Sequence, residues 1–146
     1  MKTIREYVDF NILLNEFSAR ISKENINIPA KLSYAIYKNA GKISSTAKYF
    51  EEQRVAILNK HSEKDKDGNI VYKDNIPVIK DEKKANKEYE DLLSLDADVV
   101  LHKVDINVDN LLNELEGNHQ TLTMLWAILD ALNPVETLVA EELTNA

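Results

Sequence analysis

Apolar side chains recur at steps of three and four residues through the first sixty positions, and this spacing predicts two helices. In residues 3–21 the apolar side chains share one side and most charged side chains the other, which is typical of an amphipathic helix. Pro29 suits the first position of a second helix, because no amide hydrogen is needed there. The second helix carries a long stripe with steps of four and three: Ile36, Ala40, Ile43, Ala47, Phe50, Arg54, Ile57 and His61.

A stripe of that length is typical of a helix that packs along its whole length against another helix. The partner is either residues 3–21 of the same chain, in an antiparallel pair, or a second copy of the chain, in a homodimer. Gly41 weakens the helix by about 1 kcal/mol relative to alanine, but we expect one continuous helix through it. His61 ends the stripe, where the negative end of the helix dipole favours a histidine.

Residues 64–79 predict a β-hairpin set between helices. The pairs Asp67-Gly68 and Asp74-Asn75 supply residues that adopt the positive φ angles of tight turns. β-prone residues flank the second pair and form the two expected arms, Ile70–Tyr72 and Pro77–Ile79.

A third strand is predicted in the β-prone stretch from about residue 97 to 106. An isolated hairpin is only marginally stable in water, so this stretch is expected to pair with the hairpin in a small antiparallel sheet. Pro77 has no amide hydrogen to donate, and its arm is therefore expected at a sheet edge.

Further helices are predicted after the hairpin, over residues 81–95 and 108–115. Thr121 is expected to cap a last helix that Pro134 stops. Trp126 lies off the main apolar stripe of that last helix and widens its apolar arc, so we expect the helix to be well buried.

These elements predict a mostly helical α+β fold, with a long antiparallel helix pair and a small antiparallel β-sheet. At 146 residues the chain has the length of one domain. Within residues 1–146 we expect the helix pair in 1–63, the hairpin, helix and strand in 64–106, and the C-terminal helices in 107–146. With only three glycines and three prolines, the composition also favours helices.

Composition and charge narrow the classes of function. The formal net charge is −7, which argues against direct binding to nucleic acid, because phosphate binding needs a basic face. An acidic surface can instead compete for the basic groove of a nucleic-acid-binding partner. The chain has no cysteine, so thiol catalysis and disulfides are excluded. No apolar run suggests a membrane span and no secretory signal opens the chain, so we expect a cytoplasmic protein.

Residues 63–74 have an EF-hand-like cadence, with oxygen-bearing side chains at the first, third and fifth places and glycine at the sixth. The first position is Glu63 and the twelfth is Asp74, which is too short for the usual bidentate ligand, and Pro77 follows where a helix should begin. We therefore interpret the segment as an acidic hairpin and predict no metal. The three histidines are far apart and no nucleophile or phosphate-loop motif is present, so we predict no cofactor and no enzymatic activity.

A binding surface is the remaining kind of site, and tyrosine is enriched at binding hot spots. Tyr34, Tyr37 and Tyr49 lie off the stripe of the long helix, where they either form a second packing face or join a recognition surface. Arg54 interrupts that stripe, either with its stem packed on the seam or with its guanidinium facing a carboxylate or a partner. The candidate binding residues are Arg54, Asp65, Asp67, Ile70 and Tyr72.

Three segments resemble small uncharacterised proteins of bacteriophages: IPAK at residues 28–31, NKHSEKDKDGNIVYKDN at 59–75 and DEKKANKEYEDLL at 81–93. In those proteins a lysine-rich helix ends near a K-x-D-x-D-G-N-like turn, and a D-E-x-x-x-N-K-E helix and a short β segment follow. The resemblance covers roughly residues 28–115 and implies a phage or prophage origin. It carries no functional residue over to this chain.

Small size, acidity and absent catalytic motifs, together with the phage origin that the resemblance implies, predict a non-enzymatic protein that binds and inhibits a host protein, for instance a defence nuclease. One alternative is a structural or assembly accessory of the virion. Another is a sponge for a small nucleotide signal in a dimer pocket, which would need convergent basic residues such as Arg54.

Overall fold

The structure, a computed structural model, describes residues 3–133. Of these residues 64% are helical, and the only named strands among them form a two-stranded antiparallel sheet, so the predicted mostly helical α+β class is confirmed. The elements are α1 (Ile4–Lys23), α2 (Ala30–His61), β1 (Tyr72–Lys73), β2 (Ile76–Pro77), α3 (Glu82–Leu93), α4 (Asp109–Glu114) and α5 (His119–Leu132).

The described chain divides into two compact units that do not follow the predicted subdivision at residues 63 and 106. The first unit contains residues 9–44 and 99–133, and the second contains residues 3–8 and 45–98. Both long helices therefore supply residues to both units.

Helices α1 and α2 follow the predicted spacing closely. The carbonyl oxygen of Pro29 accepts hydrogen bonds from the amides of Leu32 and Ser33, so the proline stands directly before the first turn of α2. As expected, α2 is continuous through Gly41, where an added Cβ would meet no atom within 4 Å. The buried face of α1 consists of Ile4, Tyr7, Phe10, Leu14 and Phe17.

The core of the second unit brings together the start of α1 and the second half of α2. Ile4 packs in one cluster with Phe50, Leu92 and Leu93, and Val8, Ile57, Tyr89 and Ala97 lie against it. In an antiparallel pair of helices, the start of the first helix would likewise lie beside the second half of the other. The inner face of α3, predicted from its sequence, is the part of this helix that enters the cluster.

The third strand predicted at residues 97–106 is absent, because the backbone of this stretch bonds to side chains instead of to the hairpin. The Asn39 amide nitrogen donates to the carbonyl oxygen of His102 at 2.9 Å, and its amide oxygen accepts from the amide of His102 at 2.6 Å. One buried side chain of α2 thus makes the pair of bonds that a neighbouring strand would have made.

Two further side chains bond to carbonyl groups of the same stretch, one two residues before His102 and one two residues after it. Lys42 Nζ donates to the carbonyl oxygen of Val100 at 2.8 Å, and Asn133 Nδ2 donates to that of Val104 at 2.7 Å. The β-prone composition therefore does not predict the hydrogen-bonding partners of this backbone.

The last helix differs from its prediction in two respects. Its N-cap is Asn118, whose side chain accepts from the amide of Thr121 at 3.3 Å, and Thr121 lies inside the helix, fully buried. The helix is also buried over only part of its wide apolar arc, since Leu125, Ile128 and Leu132 are buried but Trp126 is 49% exposed. Pro134, predicted to stop the helix, lies outside the described residues.

Candidate functional site

The predicted hairpin is present and turns at Asp74 and Asn75. The two residues have φ angles of 53° and 64°, the backbone of a two-residue type I′ turn. The register pairs Tyr72 with Pro77 and Lys73 with Ile76. The turn chemistry read from the sequence is therefore confirmed, and the paired segment is shorter than the predicted arms.

Two of the candidate residues, Asp65 and Asp67, lie together in the first turn. Asp65 Oδ1 accepts from the amides of Asp67 at 2.9 Å and Asn69 at 3.0 Å, and Gly68 follows with φ of 82°. One carboxylate oxygen of Asp65 is thus committed to holding the loop in place. Within residues 3–133, no group of three metal-ligating side chains comes together.

The hairpin is anchored by the segment that follows α2. The amide of Glu63 donates to the carbonyl oxygen of Val78 at 2.8 Å, and the amide of Val71 donates to that of Glu63 at 2.9 Å. The amide of Lys80 donates to the carbonyl oxygen of His61, the last residue of α2, at 2.7 Å. The third backbone partner predicted for the hairpin therefore exists, but it comes from residues 62–64.

The surface of the hairpin is neutral rather than acidic, and it exposes two large apolar side chains. Tyr72 is 60% exposed and Ile76 is 67% exposed. The register places them on opposite faces of the ribbon, because directly paired residues share a face. Residues 64–79 contain three aspartates and three lysines, so their charges cancel. Ile76, missed in the sequence analysis, is the apolar neighbour of the turn, and candidate Ile70 is half-buried beside Lys64.

The remaining candidate, Arg54, is engaged by a carboxylate of its own helix. Its Nε donates to Glu51 Oε2 at 3.0 Å and a terminal nitrogen donates to the other oxygen. This pairing lowers the pKa of the Glu51 carboxyl and raises the pKa of Arg54. Arg54 also lines an open cavity of about 480 Å³ beside Ile57, Ile79 and Tyr89, away from the turn of the hairpin.

The tyrosines of α2 are only partly packed. Tyr34, Tyr37 and Tyr49 are 50%, 74% and 46% exposed. The ring of Tyr34 meets the ring of His102 edge-on, with 5.5 Å between centroids.

A second cavity in the same unit, which the sequence analysis missed, is lined mainly by basic side chains. We refer to this space of about 360 Å³ as the basic cavity; its lining residues are Lys60, His61, Lys80, Asp81 and Lys84. The bond between Lys80 and His61 that anchors the hairpin brings two of them together. The sequence contains no local motif for it, because the residues come from the ends of two helices and a connecting segment.

The stability of the hairpin depends on the backbone at Asn75. Replacing Asn75 by Val should destabilise the paired segment by about 1–2 kcal/mol, because a β-branched residue is strained at positive φ. Hydrogen exchange at the amide of Val78, which donates to Val71 at 2.9 Å, measures the effect. Asn75→Gly should leave that exchange as slow as in the wild type or slower, and equal exchange in both variants would contradict a type I′ turn.

No protein-family model, curated protein or solved structure matches this chain. Among residues 3–133 there is also no helix with the length and apolar content that a membrane crossing requires.

Proposed function

We propose that this chain is a non-enzymatic, phage-encoded protein that binds and inhibits a host protein in the host cytoplasm, with the hairpin as its main contact surface. The observation that carries the proposal is the display of Tyr72 and Ile76, both more than half exposed, on a hairpin anchored by backbone hydrogen bonds. The two side chains flank the turn on opposite faces, so a partner that encloses the tip would cover both.

The rigidity of this tip supports the assignment. The type I′ turn fixes the backbone at Asp74 and Asn75, and residues 62–64 fix both arms against the end of α2. A surface that is already ordered loses little conformational entropy when it binds, so more of its contact energy is available for affinity.

The charge of the chain indicates the kind of partner. With a formal net charge of −7 the protein is attracted to basic surfaces, such as the groove of a nucleic-acid-binding defence protein. In that setting the neutral hairpin supplies apolar anchoring contacts while the acidic remainder speeds association. We retain the homodimer, predicted from the stripe of α2, as part of the proposal.

Function should depend on the two exposed side chains of the hairpin. In cells that carry the targeted defence system, wild-type protein should restore phage plating, and Tyr72→Ala with Ile76→Ala should abolish the restoration. Affinity for the defence protein, measured by calorimetry, should fall at least about tenfold, as expected when hot-spot side chains are truncated.

The matched control carries Tyr37→Ala with Val100→Ala, which removes a tyrosine and an aliphatic side chain that are 74% and 83% exposed elsewhere. This variant should behave like the wild type. If both variants lost affinity and plating to the same extent, the interface would not be at the hairpin. If the wild-type protein left phage plating unchanged, inhibition of the defence system would be refuted. If the protein were recovered with purified virions and not with a host protein, the alternative role as a structural or assembly accessory of the virion would be supported.

A further inference from the structure

The basic cavity concentrates positive charge in a chain that is acidic as a whole. Three of its five lining residues are lysines, against a formal net charge of −7 for the sequence. Like charges gathered around one space repel one another, and the repulsion is relieved when an anion enters. A cavity of this composition therefore favours an anionic ligand.

The cations of the cavity differ in how they are paired. Lys60 Nζ bonds to Glu88 Oε1 at 2.7 Å, whereas Lys84 Nζ is 3.9 Å from Asp81 Oδ2, beyond hydrogen-bonding distance. Lys80 has no side-chain ion pair within residues 3–133. Two of the three ammonium groups are thus available to a ligand.

The histidine of the cavity is buried and incompletely bonded. The side chain of His61 is only 10% exposed, and its Nε2 lies 3.1 Å from Glu88 Oε2 without the geometry of a hydrogen bond. A buried ring nitrogen without a hydrogen bond is unfavourable unless another group completes its bonding. An anion in the cavity would supply that group.

Glu88 shows that these side chains can hold two oxygens of one anionic group. Its carboxylate oxygens face Lys60 and His61 separately, and the hydrogen bond from Lys60 is the main cause that lowers the pKa of Glu88. Two oxygens on one central atom are also what a phosphate group presents.

We propose that the basic cavity is a binding site for the phosphate groups of a small phosphorylated molecule. Its volume of about 360 Å³ lies at the lower end of the range for small-molecule sites. Lysine binds phosphate as a compact charge, and α3 begins at this cavity, so the positive end of its dipole adds to the attraction. The bound phosphate competes with Glu88 for Lys60 and His61.

Calorimetric titration of the full chain with pyrophosphate, adenosine diphosphate and inorganic phosphate tests the proposal. The wild type should bind at least one of them, with amide shifts in NMR spectra confined to residues around His61 and Lys80. Lys80→Gln with Lys84→Gln should weaken binding at least about tenfold, since each lysine supplies a charged hydrogen bond. Both side chains project from exposed residues, so the fold should be retained.

The matched control is Lys83→Gln with Lys87→Gln, which makes the same charge change on exposed residues of α3 outside the cavity and should shift the dissociation constant less than about twofold. Glu88→Gln should tighten binding several-fold, because it removes the competing carboxylate. Failure of the wild type to bind all three anions, equal weakening by both lysine pairs, or weaker binding by Glu88→Gln would each overturn the proposal. If the variant with Lys80→Gln and Lys84→Gln still restored phage plating, the phosphate site would be independent of the inhibition that we propose for the hairpin.

Discussion

Asn39→Ala should lower the free energy of unfolding by about 2–4 kcal/mol, because two hydrogen bonds are lost and the amide and carbonyl of His102 are left without partners. Asn39 is fully buried, so water cannot replace its amide at that position without a rearrangement. Urea unfolding gives the change in stability. Hydrogen exchange at the amide of His102 should also become faster than that of the amides within α2.

Two further substitutions make this result specific. Asn39→Asp keeps an acceptor for the His102 amide but cannot donate to its carbonyl oxygen and buries a charge, so it should destabilise at least as much as Asn39→Ala. Asn59→Ala changes the same residue type at an exposed position of α2 and should alter stability by no more than about 0.5 kcal/mol. Similar stability of the Asn39→Ala and Asn59→Ala proteins would show that the paired bonds contribute nothing net.

Phe50→Ala should lower the free energy of unfolding by about 3–5 kcal/mol, the cost of removing a buried aromatic side chain and leaving a cavity. Phe50 is only 8% exposed and packs in the cluster with Ile4, Leu92 and Leu93. Its ring centroid is 5.8 Å from that of Tyr89, which adds an aromatic contact of about 0.5–1.5 kcal/mol. Thermal or urea unfolding measures the loss.

The neighbouring Tyr49 offers the control for this second prediction. It is 46% exposed, so Tyr49→Ala should cost far less than Phe50→Ala. Phe50→Leu should recover much of the loss, because it restores apolar volume without the ring. A double-mutant cycle of Phe50→Leu with Tyr89→Leu isolates the aromatic contact, and a coupling energy of zero would show that the two rings only fill space.

The long helices were predictable because a stripe at steps of three and four residues reports local geometry. The same holds for the Asp74-Asn75 turn, whose residue types are those that tolerate positive φ. The role of Asn39 is also indicated by the sequence, because this residue stands between Ile36 and Ile43 at steps of three and four residues. A polar residue on an apolar stripe needs a hydrogen-bonding partner in the buried interior.

The partners of these elements could not be predicted from local patterns. The β-prone sequence of residues 97–106 is compatible with two kinds of hydrogen-bonding partner, a neighbouring strand or the side chains of a helix, and it does not distinguish between them. Asn118 and Thr121 are both good N-caps, and the choice between them depends on the preceding loop, where Gly117 has φ of 86°. The basic cavity combines two short segments, residues 60–61 and 80–84, that are 19 or more positions apart, and no short motif encodes such a pair.

The alternation of Val100, His102 and Val104 has a consequence for aggregation. In an extended backbone, carbonyl groups two residues apart point to the same side, and here all three are occupied by side chains of Lys42, Asn39 and Asn133. An extended, β-prone segment with a free edge would be a template on which a second chain could add a strand. Here two side-chain amides and an ammonium group, from α2 and from Asn133, occupy these carbonyl groups, so the β-prone segment is protected from strand addition.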